Sequence, residues 1–420
     1  MSEAVNISPV WHPFTQHGLT PHSPVVVRGQ GAWLELENGD RLLDAISSWW
    51  VITHGHCHPR IVAAMQEQAA RLDQVIFAGF THPPAEELAR KLLSIVPHGL
   101  SHVFYSDSGS TAVEVGLKMA LGYWKNRGIN RTRIVAMHHA YHGDTVGTMS
   151  AGARGVFNDA YAPLLFDVAR IPFPEAGQER RTLDMLDHHA KGAAALLIEP
   201  LICGSGGMKI YGPDVLKGMA DICARHGTLL IADEVMTGFG RTGTLFACEQ
   251  AGVTPDIMPL AKGLTGGSIP LAATLCKPDI FAAHYSPHRI HTFFHSSSFT
   301  ANPIACAAAS ANLDVWLGEP VLEQVNGLCA MQEANLEAFR ADPRFENVRR
   351  MGTITAMDLK VEDPGYLATL GPELTAFFHA QGILLRPLGN TIYVMPPYCI
   401  SAGELAMVYA AIKEAAAQFG

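Results

Sequence analysis

Six short apolar runs, at 102–106, 133–138, 194–199, 228–233, 256–260 and 271–276, alternate with longer stretches of helical periodicity, notably 110–125, 214–226 and 303–317. A brief, nearly unbroken apolar run suits a strand buried on both faces, and an apolar stripe every three to four residues suits a helix lying on one. Parallel strands need a crossover between neighbours, and the helical stretches supply it. The middle of the chain therefore predicts an α/β fold with a mostly parallel sheet covered by helices. Past Trp316 the order changes. A helix at 321–340 leads to a strand at 347–359, a helix at 366–381, short strands at 383–386 and 391–395, and a last helix at 402–418. That is an α+β pattern. A hairpin-like segment at 25–28 and 33–36, with turn residues Asn38-Gly39-Asp40 beyond it, is expected to join it. The expected division is a large domain at 45–317 and a smaller one built from 318–420 and 1–44. A chain of 420 residues can bury the cores of both.

Charge and composition exclude several classes. The net charge of −9, with no basic run, gives no electrostatic footprint for nucleic acid. No apolar stretch reaches the roughly 18 residues that would suggest a membrane span. The first residues lack the charged and apolar regions of a signal peptide. Eight cysteines stand singly, which suits buried free thiols in a reducing cytoplasm.

Ligands of open α/β sheets collect at the carboxyl ends of the strands. Asp233 ends the run Thr228-Leu-Leu-Ile-Ala-Asp233, and Lys262 stands between an apolar stretch and the glycine-rich Gly263-Leu-Thr-Gly-Gly267. A strand-end acid and a partly desolvated lysine are what pyridoxal 5′-phosphate needs: the lysine for a Schiff base, the acid to keep the pyridine nitrogen protonated. Ser106-Asp-Ser-Gly109-Ser110-Thr111 follows a predicted strand and opens a helix. Gly109 permits close backbone approach there, and free amides at the helix start suit a phosphate. Thr111 with Glu114 also fits a capping box. In Met137-His-His-Ala-Tyr141-His142-Gly143-Asp144, either Tyr141 or His142 can stack on a pyridine ring. The histidines of that loop, and those of His54-Gly-His56-Cys57-His58, are alternatively ordinary loop residues or metal ligands. No metal is expected, because the helical spacing of a zinc motif is missing. Gly238-Phe-Gly240-Arg-Thr-Gly243 matches a dinucleotide fingerprint letter by letter, but Gly243 interrupts the helix that should follow, and no strand-end acid lies about twenty residues on.

In order along the chain, Ser108-Gly-Ser110 with Glu114, Tyr141-His-Gly143, Ile198-Glu199-Pro200, Asp233-Glu-Val235 leading to Arg241-Thr-Gly243, Ala261-Lys262-Gly263 and His295-Ser-Ser-Ser298-Phe-Thr-Ala-Asn302-Pro303 resemble the class III aminotransferases among the fold-type I pyridoxal-phosphate enzymes. The likeness runs from about residue 11 to the C-terminus. It implies a fold-type I architecture, pyridoxal 5′-phosphate as cofactor and a cytoplasmic homodimer with shared active sites. By that resemblance Lys262, Asp233 and Tyr141 are catalytic. Gly109, Ser110, Glu199 and Val235 hold the cofactor, and Ser298 reaches the phosphate from the partner subunit. Trp11-His-Pro13, Ser47-Ser-Trp49-Trp50, Leu385-Arg386-Pro387 and Val394-Met-Pro-Pro397-Tyr398 are similar to the biotin-pathway branch, which converts 8-amino-7-oxononanoate to 7,8-diaminononanoate. The branch implies substrate contacts from Trp49, Trp50 and Arg386, and from Asp144, Arg241, Gly263 and Ser297. Two adjacent Trp on a strand would point to opposite faces, so one of them is expected to face the substrate. S-adenosylmethionine is the expected amino donor. Phe14 stands where many members carry a Tyr, which leaves lysine as an alternative. A different ω-amino-acid transamination on the same fold is the other alternative.

Overall fold

The computed structural model describes residues 8–420. Seven strands form the central sheet, in the spatial order His102–Ser106, Ala272–Cys276, Ile257–Leu260, Leu229–Ala232, Ala195–Ile198, Ile134–Met137, Ala169–Ile171. Ala272–Cys276 runs antiparallel to both its neighbours, and every other adjacent pair is parallel. The sheet is thus mostly parallel, as the apolar runs predict. Every residue of Ala195–Ile198, Leu229–Ala232 and Ile257–Leu260 is buried, which is why these runs show no polar alternation. The three-residue strand Ala169–Ile171 escapes the sequence reading because it is too short to show a period.

Helix boundaries follow local chemistry. Pro213 opens the helix Pro213–His226, and Gly227 ends it with φ of 63°, a conformation cheap only for glycine. The helix Gly109–Asn126 lies across Ile257–Leu260 and Ala272–Cys276, and starts directly beyond the edge strand His102–Ser106. Its cap is Ser108, whose side chain accepts from the Thr111 amide while the Thr111 hydroxyl accepts from the Ser108 amide. The box therefore lies three residues earlier than Thr111 with Glu114. Glu114 instead accepts from Thr145 and the Gly147 amide.

The chain termini meet. Val26–Gln30, Trp33–Leu36 and Arg41–Asp44 form an antiparallel ribbon, and Ile383–Leu384 adds to it in parallel with Arg41–Asp44. The segment expected as one strand at 347–359 is a hairpin, Phe345–Met351 and Ile354–Leu359, completed by Thr391–Val394. Gly352 makes the bend at φ of 57°, and a Cβ there would lie 2.1 Å from the Thr242 carbonyl carbon. One apolar cluster runs from Leu43 and Trp50 through Leu260 and Leu313 to Val394 and Ile412, so the sheet and the terminal elements share a core.

Two further expectations are corrected. Trp49 and Trp50 are not on a strand. They lie in the irregular turn Ser47–Trp50, where Ser47, Ser48 and Trp50 all have positive φ. All eight cysteines are free, but Cys57 and Cys399 are exposed rather than buried. Among the described residues, no helix is long and apolar enough to cross a membrane.

Candidate active site

Parallel strands deliver their carboxyl ends to one edge of the sheet, and the candidate residues follow those ends. Asp233 follows Leu229–Ala232, Glu199 follows Ala195–Ile198, the Tyr141–Asp144 loop follows Ile134–Met137, and Lys262 follows Ile257–Leu260. Together they line one cavity of about 430 Å³, with Gly109, Ser110, Val235, Trp49, Trp50 and Arg386. That volume fits a small-molecule site.

Asp233 is buried and anchored on both oxygens. Oδ2 pairs with His142 Nδ1 at 2.7 Å, and Oδ1 accepts from the Val235 amide at 3.1 Å. The sequence left Tyr141 and His142 interchangeable, and the structure separates them. Both line the cavity, but His142 is buried and paired with Asp233, whereas Tyr141 is half-buried with its hydroxyl donating to Asp144 at 3.0 Å. Burial raises the Tyr141 phenol above its ordinary range, and neighbouring Asp144 adds to it. Glu199 takes the Tyr141 amide at 2.8 Å and the Gly204 amide at 3.0 Å. Burial pushes its carboxyl up to about 7, against the lowering effect of His142.

Lys262 has φ of 48°, an uncommon conformation for a residue with a side chain. Its Nζ lies 4.8 Å from the centre of the Trp50 ring. Burial lowers the amine to about 8, although Asp233 and Glu199 oppose the shift. An amine held near neutrality is a ready nucleophile and proton carrier.

At the start of the helix, the Ser108 side chain takes the Thr111 amide, which leaves the Gly109 and Ser110 amides without intrahelical acceptors. A Cβ on Gly109 would meet Val235 Cγ1 at 2.6 Å, so only glycine fits between them. Gly143 has φ of 126°, and a Cβ there would reach the Ser110 hydroxyl at 1.9 Å. The donor set fits pyridoxal 5′-phosphate: amides at a helix N-terminus for the phosphate, an anchored carboxylate for the pyridine nitrogen, and a near-neutral lysine for the aldehyde.

Much of the remaining cavity wall is aromatic. Trp50 is buried, its Nε1 donating to the Tyr393 hydroxyl at 3.0 Å, while Trp49 is half-exposed. The Arg386 guanidinium lies 5.1 Å from the Trp49 ring and donates to the Phe14 carbonyl at 3.2 Å. Phe14, Phe157, Tyr366 and Tyr393 also line the wall. Phe157, Tyr366, Tyr393 and the His142 support are absent from the sequence reading, which named Phe14 only for the hydroxyl it lacks. No spacing announces them, since Tyr393 meets a Trp 343 residues away.

Other expected contacts fall elsewhere. Arg241 is wholly buried and donates to the carbonyls of Ile52 and Pro396, so it braces two backbone segments and does not face the cavity. Gly263 lies just beneath Lys262, packed against Phe239. Asp144 faces an adjoining cavity of about 270 Å³ that shares Tyr141 and Gly143 with the first. Ser297 and Ser298 lie in the loop before Asn302, outside the cavity lining of this chain. The fingerprint-like Gly238–Gly243 segment is followed by further turns and then a short 3-10 helix at Ala247–Ala251, with no helix at Gly243. Histidines 54, 56 and 58 diverge to Asn312, Asp44 and Glu319.

The profile of the family described as aminotransferase class-III matches residues 15–416. The adenosylmethionine-8-amino-7-oxononanoate aminotransferase of Synechococcus elongatus is 47% identical, over 96% of this chain and 97% of that one. Its namesake from Geobacter sulfurreducens is 39% identical, over 94% and 93%. Among solved structures, the enzyme of that name from Methanocaldococcus jannaschii superimposes with a TM-score of 0.94 at 33% identity, over 98% and 97% of the two chains. A PLP-bound amine transaminase from an uncultivated Pseudomonas species gives 0.93 at 31%, over 98% and 99%. With a strand-end acid, a near-neutral lysine and a helix-start anion cradle in one cavity, and these likenesses along nearly its whole length, the chain belongs to the class III aminotransferases, fold-type I enzymes dependent on pyridoxal 5′-phosphate.

Proposed function

We propose that this aminotransferase converts 8-amino-7-oxononanoate to 7,8-diaminononanoate in biotin biosynthesis, with S-adenosylmethionine as amino donor, as a cytoplasmic homodimer. The observation that carries this reading is Arg386 in the cavity wall, its guanidinium 5.1 Å from the Trp49 ring. The keto acid has a carboxylate at one end of an aliphatic chain and its reacting carbonyl towards the other. A guanidinium suits the carboxylate, and Trp49, Trp50 and Leu388 suit the chain. Relatives named for this reaction, at 47% and 39% identity, support the same choice.

Bound pyridoxal 5′-phosphate supplies the electron sink for breaking a bond at the amine-bearing carbon. Asp233, fixed by His142 and the Val235 amide, holds the proton on the pyridine nitrogen. Lys262 would hold the aldehyde end of the cofactor, and its amine would move a proton at the donor's α-carbon. The Gly109 and Ser110 amides hold the phosphate, with Ser298 added from a partner subunit. Tyr141 and Val235, both in the cavity wall, would pack against the cofactor ring, while Glu199 fixes the Tyr141 loop through its amide.

The dimer is supported by the surface around Ser298. Phe294, Phe299, Ile76 and Phe80 are each more than 60% exposed, and Gln74 donates to the Ser298 carbonyl, tying the two segments into one apolar face. Phe14 favours a second reading for the donor. Its ring, 5.7 Å from Trp49, offers no hydroxyl to a polar donor, and lysine replaces S-adenosylmethionine in that reading.

Incubating the holoenzyme with 8-amino-7-oxononanoate and each donor, with mass-spectrometric detection of the diamine, tests the proposal. Product with S-adenosylmethionine is expected. Product with lysine alone would replace the donor. No diamine with either, alongside turnover of simple ω-amino acids, would replace the keto acid.

A further inference from the structure

The turn that carries Lys262 is held from behind by buried polar groups without a part in the chemistry above. Asn312, fully buried in the helix Pro303–Gly318, donates from Nδ2 to the carbonyl oxygens of Gly263 and Leu264, both at 3.0 Å. Only the NH₂ end can approach two carbonyls, so Oδ1 faces the other way and is an acceptor. It meets His54 Nε2 at 2.9 Å, which places the proton of the neutral ring on Nε2. The ring is neutral: burial first, then His58 and Arg241 nearby, lower His54 to about 3. Trp316 and His58 pack against it, with ring centres at 5.4 and 5.8 Å.

The adjoining backbone closes the rest of the turn. The Thr53 amide donates to the Gly266 carbonyl at 3.4 Å, and a Cβ on Gly267 would lie 2.6 Å from the Val51 carbonyl. Buried polar groups carry a desolvation cost that an apolar pair would avoid. A lysine at positive φ persists only where its surroundings over-determine it. Both observations point to the same place. The amide and the imidazole hold the carbonyls that follow Lys262, and the rest of the Lys262–Thr265 turn follows.

We propose that His54 and Asn312 are positioning residues that fix the Lys262–Thr265 turn and so hold the Lys262 amine in the cavity it shares with Asp233. The proposal rests on the role given to Lys262. Loosening the turn lets the amine reach water, and its proton affinity then rises towards that of an ordinary lysine. The charged groups that act on the amine are Asp233 and Glu199 in the cavity and Arg241 outside its lining, and none of them changes in the variants below.

Asn312→Leu and His54→Phe remove the hydrogen bonds without adding charge, and His54→Gln retains a donor. Acylation of Lys262 by acetic anhydride in the cofactor-free protein, followed by mass spectrometry across pH, reads the amine directly. The wild-type midpoint is expected near about 8. Asn312→Leu and His54→Phe should raise it by about one unit, a tenfold change in proton affinity. In the loaded enzyme they should lower kcat by about 100-fold with little change in either KM, as expected for a misplaced reacting group. His54→Gln should stay within about threefold of wild type. Folded variants with the wild-type midpoint and kcat would overturn the proposal. So would failure of both disruptive variants to fold, which would assign the pair to stability alone. An active Lys262→Ala enzyme would instead remove the role of Lys262 itself, a separate outcome.

Discussion

At the residue scale, the site depends on groups whose surroundings shift their chemistry. Asp233 is held by His142 and a backbone amide, and in its proposed role its charge, not its shape, would serve the pyridine nitrogen. Asp233→Asn should keep the fold and lower kcat by about 100-fold or more, within the range of proton-transfer effects. Steady-state kinetics beside an unchanged thermal transition checks this, and wild-type turnover would refute the assignment. Arg386 tests the substrate. Its partly exposed guanidinium, with a carboxylate partner, is worth about 1.5–3 kcal/mol. Arg386→Ala should therefore raise the KM for the keto acid by about 10- to 150-fold and leave the KM for the donor nearly unchanged. Equal effects on both substrates would make Arg386 a shared or structural group. Glu199 makes a pH prediction. Burial raises its carboxyl from 4.5 to about 7, so the folded chain keeps a proton that the unfolded chain releases. Its contribution to stability is full below 4.5 and is lost as pH rises through about 7. The Tm of the cofactor-free wild type, relative to Glu199→Gln, should accordingly fall between those pH values. A relative rise would contradict the sign.

At the element scale, the sheet was legible because buried parallel strands are nearly continuous apolar runs, and Leu229–Ala232 is one. The Ser47–Trp50 turn was not. Adjacent Trp residues favour a strand by propensity, but three positive φ angles put Trp50 in the core and leave Trp49 at the rim. Arg241 misled for a related reason: a motif match fixes its place along the chain and does not show that the guanidinium turns inward to the Ile52 and Pro396 carbonyls. Where glycine marks a turn next to a helix start, sequence and structure agree. Gly143 lets its loop pass the Ser110 side chain. Gly143→Ala should cost about 1–3 kcal/mol through strain and overpacking. By displacing Ser110 it should also weaken cofactor binding by about tenfold or more. A cofactor titration and a melting curve measure both, and unchanged affinity would separate the helix start from the phosphate.

At the scale of the whole molecule, the termini pair in one sheet, as Arg41–Asp44 with Ile383–Leu384 shows, and Arg386 follows two residues after that pairing. Such a meeting brings a residue near the C-terminus to a cavity built mainly from the middle of the chain. Sequence order hides it, although the motif Leu385-Arg386-Pro387 singled the residue out. Ser298 is exposed in a loop beside the exposed Phe299, its carbonyl tied to Gln74. The particle in solution should have about twice the 45.3 kDa chain mass, measured by light scattering, and a monomer retaining full cofactor affinity would exclude Ser298 from the phosphate site. In the proposed roles it is Lys262 that carries the cofactor. Borohydride reduction of the holoenzyme, followed by peptide mapping, tests it most directly. The account predicts one pyridoxyl adduct, on Lys262, and none in Lys262→Ala. An adduct on any other lysine of the native enzyme, with Lys262 unmodified, would contradict it.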